Sequence, residues 1–138
     1  MTVAVDDVIL TALQAQRGEA RCVRRQVVAS IFNKDGVAVS GGVNGSPNEE
    51  ALGDCLTGGC PRSVSQVPPG SSYDTGEGAC IALHAEQVAI IAASWEDMDG
   101  GTLYVTDEPC FGCRKMILGT PLARVIWPFG SLVRGEAS

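Results

Sequence analysis

From residue 82 onward the sequence switches repeatedly between two periodicities, and this restricts the fold more than any other feature. Residues 82–94 carry Ala85, Val88, Ala89 and Ala92 at helical spacing, and Gly100-Gly101 closes that unit. Thr102-Leu-Tyr-Val-Thr106 reads as a strand. Pro109 suits a helix start, residues 110–118 follow as a short helix, and Gly119 and Pro121 stop it. Ala123-Arg-Val-Ile-Trp127 is the last clear strand, closed by Pro128. Strands joined through helices run parallel, with right-handed crossovers. Upstream, residues 26–32 and 37–43 read as two strands around Asn33-Lys34-Asp35-Gly36, a turn sequence that makes a hairpin. Residues 5–16 read as a helix through Val5, Ile9, Ala12 and Leu13. The predicted architecture is a three-layer α/β/α sandwich. Its mixed sheet has an N-terminal hairpin and parallel C-terminal strands. Active groups in such sheets gather at the carboxyl ends of strands, where helices begin.

The chain has 138 residues, a size for one domain with one core. Its net charge of −6 argues against a polynucleotide partner, because Lys and Arg supply most of that affinity. No apolar run approaches the roughly 18 residues needed to span a bilayer. The N-terminus lacks a basic signal-peptide region and carries Asp6 and Asp7, so a cytoplasmic location is expected. In that compartment the six cysteines favour metal ligation or free thiols over disulfides. Residues 45–79 lose all periodicity and form an irregular insertion rich in Gly, Pro and Ser.

Two short segments carry the chemistry: His84-Ala85-Glu86 and Pro109-Cys110-Phe111-Gly112-Cys113. Cys110 and Cys113 are three apart at a helix start, so their sulfurs share a face. The helix dipole there favours thiolates, the species that zinc binds. His84 opens the preceding helix and is the only histidine. Two thiolates and one imidazole make three ligands, and a catalytic zinc keeps its fourth position for water. Glu86 lies in the first helical turn, within reach of a metal at the helix end. A carboxylate there can accept a proton from water and pass it on. Alone, a Cys-x-x-Cys is often redox or structural, and a His-x-Glu means little. Together they form an established zinc deaminase signature, applied here as a known pattern.

With these segments in place the sequence resembles the cytidine and deoxycytidylate deaminase superfamily, and more closely its deoxycytidylate branch. Similar stretches are Arg21 to Val27, Gly42 to Pro47, Leu103 to Thr106, Pro109 to Cys113, and Ala123 to Trp127. The resemblance covers roughly residues 20–128. It implies a sandwich of the cytidine deaminase type and a zinc-dependent deamination of a small cytosine nucleotide. dCMP or CMP would become dUMP or UMP plus ammonia. It assigns zinc to His84, Cys110 and Cys113. Glu86 would shuttle protons from water to N3 of the base and to the departing amine. Asn44 would hydrogen-bond sugar or base, and the Ala85 backbone amide would contact the pyrimidine. Asn-Gly is also a common turn pair, which is the plain alternative for Asn44.

Arg24 and Arg25 are candidates for a 5′-phosphate, since guanidinium matches phosphate geometry; a solvated strand entry is the alternative. Arg62, Arg114 and Lys115 have weaker claims. Cys55, Cys60 and Cys80, with Cys22 or an acidic group, could hold a second, structural zinc, as in some relatives. Three departures from the branch stand out. Val28 replaces a small glycine and is expected to reshape the pocket floor. The chain ends soon after Trp127, and the insertion is not standard in detail. Other substrates remain open: a free nucleoside, a purine base such as guanine, or the adenosine of a tRNA. Net charge and the lack of a basic C-terminal helix oppose the last of these. A non-enzymatic zinc module has no use for Glu86. The resemblance further implies a homo-oligomer that binds a small nucleotide or nucleoside and no membrane.

Overall fold

The computed structural model describes residues 5–19, 26–45 and 83–133. Helix α1 spans Val5–Ala15, with Asp6 and Asp7 in its first turn, where acidic side chains complement the helix dipole. A short 3-10 turn, Arg17–Glu19, follows. Strands β1 (Val28–Phe32) and β2 (Ala38–Val43) form the expected hairpin. Asn33 makes its turn: the side-chain Oδ1 accepts the N–H groups of Asp35 at 2.9 Å and Val37 at 3.0 Å. Gly36 takes a φ of +83°, open to glycine at little cost. A bulge between Ile31 and Phe32 shifts the register.

The helix expected over 82–94 is shorter, and a second, separate helix follows it. Helix α2 spans Ala85–Ala92 and α3 spans Trp95–Met98. Ala93 turns extended, and Ser94 then caps α3 by accepting the Asp97 N–H at 3.1 Å. A serine favours such a cap over a helix interior, which explains the break. The buried face of α2 is Ala85, Glu86, Ala89 and Ile90, while Ala92 of the predicted stripe is exposed. The helix lies in the angle between the sheet and the helix over Phe111–Leu118, so its inward face is not one narrow stripe.

Strand β3 (Thr102–Val105), helix α4 (Phe111–Leu118) and strand β4 (Arg124–Trp127) follow the sequence closely. The strands do not end at Trp127: β5 (Gly130–Val133) turns back antiparallel to β4. The Pro128-Phe129 turn escapes sequence reading because Phe129 occupies a left-handed φ of 69°, where glycine is the usual signal. Gly130 serves as the second signal: a Cβ there would overlap the Trp127 ring. The sheet order is β2-β1-β3-β4-β5, with β3 and β4 parallel and the other neighbours antiparallel.

Helices cover both faces of the sheet. On one, Ala29, Ile31, Leu103, Val105 and Val125 meet Ala85, Ala89 and Ile90 of α2, and Cys113 and Ile117 of α4. On the other, Leu10 and Leu13 of α1 lie over Val28, Tyr104 and Ile126. The three-layer arrangement is therefore observed. Burying each leucine contributes roughly 1.5–3 kcal/mol. The pleat of β1 sorts its residues between the two cores, with Val28 facing α1 and Ala29 and Ile31 facing α2.

A polar cluster pins α1 to the sheet. The Tyr104 hydroxyl donates to Asp6 Oδ1 at 2.6 Å, and Arg124 donates to Asp6 Oδ2 at 3.2 Å. Arg124 Nε also donates to Thr102 Oγ1 at 3.1 Å. The Tyr104 hydrogen bond, opposed by burial and reinforced by Arg124, holds the Asp6 carboxyl below its ordinary value. Burial, then Asp6, pushes the Tyr104 hydroxyl up to about 12. A lowered carboxyl stabilises the fold above its unfolded value, about 3.9, and loses that contribution as pH falls through the lower folded value. Tyr104 acts at the other end, helping below about pH 10 and failing as pH rises through its raised value. Asp6→Asn is expected to lower stability at pH 7 by about 1 kcal/mol, a figure reduced for partial exposure. Urea titrations at pH 7 and pH 3 check this, because the gap between wild type and variant should shrink at the lower pH.

Candidate metal centre

The two chemistry-bearing segments meet beside the carboxyl end of β3, each at a helix entrance. Cys110 is the N-cap of α4, in an extended conformation, and its Sγ accepts the Cys113 N–H at 3.5 Å. His84 is the N-cap of α2, also extended. Gln87, three residues on, accepts the His84 N–H through Oε1 at 2.8 Å and fixes the backbone that carries the imidazole. Extended N-caps let both side chains point back over the helix entrance instead of along a helix face.

Two further contacts set the α2 entrance in place. Leu83 and Gly45 form an antiparallel bridge, with N–H to carbonyl distances of 2.8 and 3.2 Å. Gly42 of β2 lets α2 approach very closely: a Cβ there would stand 2.7 Å from Val88 Cβ and 2.8 Å from the Ala85 carbonyl. Ser40 adds a hydrogen bond from its hydroxyl to the Ala89 carbonyl at 2.9 Å.

His84 Nδ1 stands 3.6 Å from Cys110 Sγ and 3.2 Å from Cys113 Sγ. All three donor atoms lie within 4.8 Å of one another. A tetrahedral zinc with ordinary bond lengths separates nitrogen from sulfur by about 3.6 Å and sulfur from sulfur by about 3.8 Å. The triangle fits such an ion, with a soft donor set that suits zinc. The donors differ in cover: Cys113 is buried, His84 half-buried and Cys110 exposed.

Glu86, in the first turn of α2, is 4% exposed. It reaches Cys113, whose thiol is pushed well up, first by burial and then by the negative charges of Glu86 and Cys110. The sequence predicted the opposite direction from the helix dipole. Burial and two neighbouring acidic groups outweigh that dipole. A cation bound between the two sulfurs and the imidazole would make the thiolates favourable.

The remaining predicted residues divide three ways. Asn44 is buried at the end of β2, and its Oδ1 accepts the Val27 N–H at 2.9 Å, so the carboxamide is held in one orientation. It stands beside Gly45, whose bridge leads to His84. Ala85 is fully buried at the first position of α2, where a backbone amide has no partner within the helix. Arg24, Arg25, Arg62, Cys22, Cys55, Cys60 and Cys80 lie outside the described residues, as does the insertion from residue 46 to 79. Among the described residues His84, Cys110 and Cys113 form the one such donor group. Val28 does not shape the floor of this site, because it faces α1 across the sheet from Cys113. Arg114 is already engaged, with Nε on the Pro109 carbonyl and its guanidinium beside Glu108.

Sequence reading missed Gln87, although His84-x-x-Gln87 has the spacing of a capping box. It also missed Thr106, which joins the end of β3 to β1: its Oγ1 accepts the Val28 N–H at 3.1 Å and its N–H donates to the Val28 carbonyl at 3.0 Å. Gln14 and Arg17 tie the end of α1 to the same region, through the Thr106 carbonyl at 3.3 Å and the Gln26 carbonyl at 3.1 Å. A groove of about 620 Å³ opens between α1 and the β1-β2 edge, lined by Ile9, Leu13, Val28, Phe32, Gly41 and Val43 among others. Among the described residues no ionisable side chain lines it, and the metal-site residues lie elsewhere.

Comparison with known proteins gives the same picture. Residues 5–128 match the family described as the cytidine and deoxycytidylate deaminase zinc-binding region. The chain is 38% identical over 124 residues to a deoxycytidylate deaminase of Mycobacterium phage D29, covering 89% of this chain and 93% of that protein. It is 30% identical over 119 residues to the deoxycytidylate deaminase of Schizosaccharomyces pombe, covering 86% of this chain and 34% of that longer protein. In fold it is similar to the dCMP deaminase of cyanophage S-TIM5 in complex with dCMP and dUMP. That likeness has a TM-score of 0.62 at 24% identity and covers 92% of this chain and 82% of the other.

Gly42→Ala is expected to push α2 off the sheet and lower stability by about 1–3 kcal/mol, the usual cost of overpacking. It should also weaken zinc uptake, because α2 carries His84 and Glu86. Denaturant titration and zinc stoichiometry after dialysis check both effects.

Proposed function

We propose a substrate and a division of labour from one premise: the chain belongs to the cytidine and deoxycytidylate deaminase family. It is a hydrolase of the zinc-dependent deaminase type. His84, Cys110 and Cys113 hold the ion, and the substrate is dCMP, converted to dUMP and ammonia. The names of the phage and yeast relatives support that substrate. The observation that carries the mechanism is a buried carboxylate, Glu86, against a triangle of donors that numbers three among the described residues.

Zinc, when bound there, supplies the Lewis acidity that makes water a nucleophile near neutral pH. The other steps belong to the chain's own residues. Glu86 takes a proton from the attacking water and delivers it to N3 of the cytosine ring. The water oxygen adds to C4. Glu86 then carries the second proton to the exocyclic amine, which leaves as ammonia, and the C4 carbonyl of uracil remains. Burial keeps bulk water from competing for these protons. Asn44, held by Val27, and the first amide of α2 would orient the nucleotide. Arg24 and Arg25 would serve the 5′-phosphate.

The acidic chain, with its net charge of −6, weighs against a tRNA substrate. Among the described residues no helix is long and apolar enough to cross a membrane. The same reading places the enzyme in the cytoplasm as an assembly of identical copies, which light scattering at working concentration tests.

Glu86→Gln is expected to keep one zinc per chain and to lose at least about 10²–10⁴ in turnover, the range of a lost general acid-base. Near wild-type turnover in that variant would overturn the proton shuttle. Ammonia release from dCMP, CMP, deoxycytidine, cytidine and guanine tests the substrate. The highest kcat/KM should fall on dCMP, and a preference for guanine or a free nucleoside would replace it.

A further inference from the structure

The three donors are not equally supported. Cys113 sits in the core and His84 is braced by Gln87, but Cys110 is exposed, at the end of an irregular segment, with one weak hydrogen bond to its sulfur from the Cys113 N–H. Something else has to fix its position. The neighbouring contacts converge on Arg114. Its backbone N–H donates to the Cys110 carbonyl at 2.9 Å, as any residue at that helical position would. Its side chain does what others would not. Nε donates to the Pro109 carbonyl at 3.1 Å, which fixes the peptide plane leading into Cys110. The guanidinium lies 5.4 Å from the centroid of the Trp127 ring at the end of β4. It also pairs with Glu108 at 3.4 Å. The peptide before Cys110 is thus strapped to α4 and to the sheet by one side chain.

We propose that Arg114 is a positioning residue for Cys110, and that the strap from Pro109 to Trp127 sets how long the metal is retained. This rests on the reading that His84, Cys110 and Cys113 hold zinc. The planar fork of arginine matters more than its charge: it donates to a carbonyl while presenting a flat face to an aromatic ring, and a lysine cannot do both. The exposed ion pair with Glu108 contributes little. Supports that orient metal ligands commonly change affinity by about 10–100-fold when removed.

The test is zinc release from loaded protein into excess 4-(2-pyridylazo)resorcinol, compared among wild type, R114A, R114K and K115A. R114A is expected to release zinc at least about tenfold faster. R114K should lie close to R114A, since it keeps the charge and loses the fork. K115A should match wild type. Thermal unfolding of the zinc-free proteins supplies the second readout, and R114A should match wild type there. An R114K protein that releases zinc at the wild-type rate overturns the proposal, and it still decides the matter if R114A does not fold. So does an R114A defect equally large in the zinc-free protein, which would mark a general packing role. Wild-type protein that takes up no zinc would remove the metal reading and the strap together, whereas a zinc-binding wild type with an unchanged R114A rate removes the strap alone.

Discussion

Two thiolates and a carboxylate brought close together repel one another, and much of this structure can be understood from that repulsion. Cys113 and Glu86 meet where burial disfavours charge, and Cys110 stands beside them at the surface. Water cannot screen the buried pair well, and His84 is the one basic partner among the residues that meet there. A divalent ion bound there would resolve the conflict by making the thiolates favourable. The helix entrances add backbone amides pointing the same way, a weaker influence of the same sign.

Gathering these groups is a problem of chain path. The α2 segment has to come close enough to β2 for its first turn to reach the α4 entrance. The missing side chain at Gly42 permits that approach, and the Gly45-Leu83 bridge aims the chain into the helix. On the opposite face α1 is anchored by apolar contacts and by the Asp6-Tyr104-Arg124 cluster. Tyr104 belongs to β3, the strand that leads to the Cys110 segment, so the cluster helps hold the strand on which the site depends. Thr106 then ties the end of that strand to β1.

Much of this was legible from residues alone, for reasons that differ by element. The β1-β2 hairpin was visible because Asn33 to Gly36 carry turn chemistry in their side chains and in a glycine. The parallel pair β3-β4 was visible because helical spacing separates two short β-branched runs. The ligand set was visible because its pattern joins three rare features in one order. Local signals failed where tertiary contacts decide. Strand β5 follows a turn whose left-handed residue is a phenylalanine. The end of α2 is set by Ser94, which the apolar count passed over. Val28 differs from the expected glycine, yet only the pleat shows that it faces the wrong core to affect the site. The state of the Cys113 thiol depends on Glu86, a neighbour in space as well as near in the motif of another helix. No spacing rule connects Arg114 with Trp127.

The donors also lie far apart along the chain: 26 positions separate His84 from Cys110, and 29 separate it from Cys113. An ion held by all three is therefore a cross-link, closing a loop that contains α2, α3 and β3. In an unfolded chain that tie removes many open conformations, much as a covalent bridge would. The catalytic cofactor is thus also a staple for the middle of the sheet. Stripping such an ion would then lower stability as well as end reactivity.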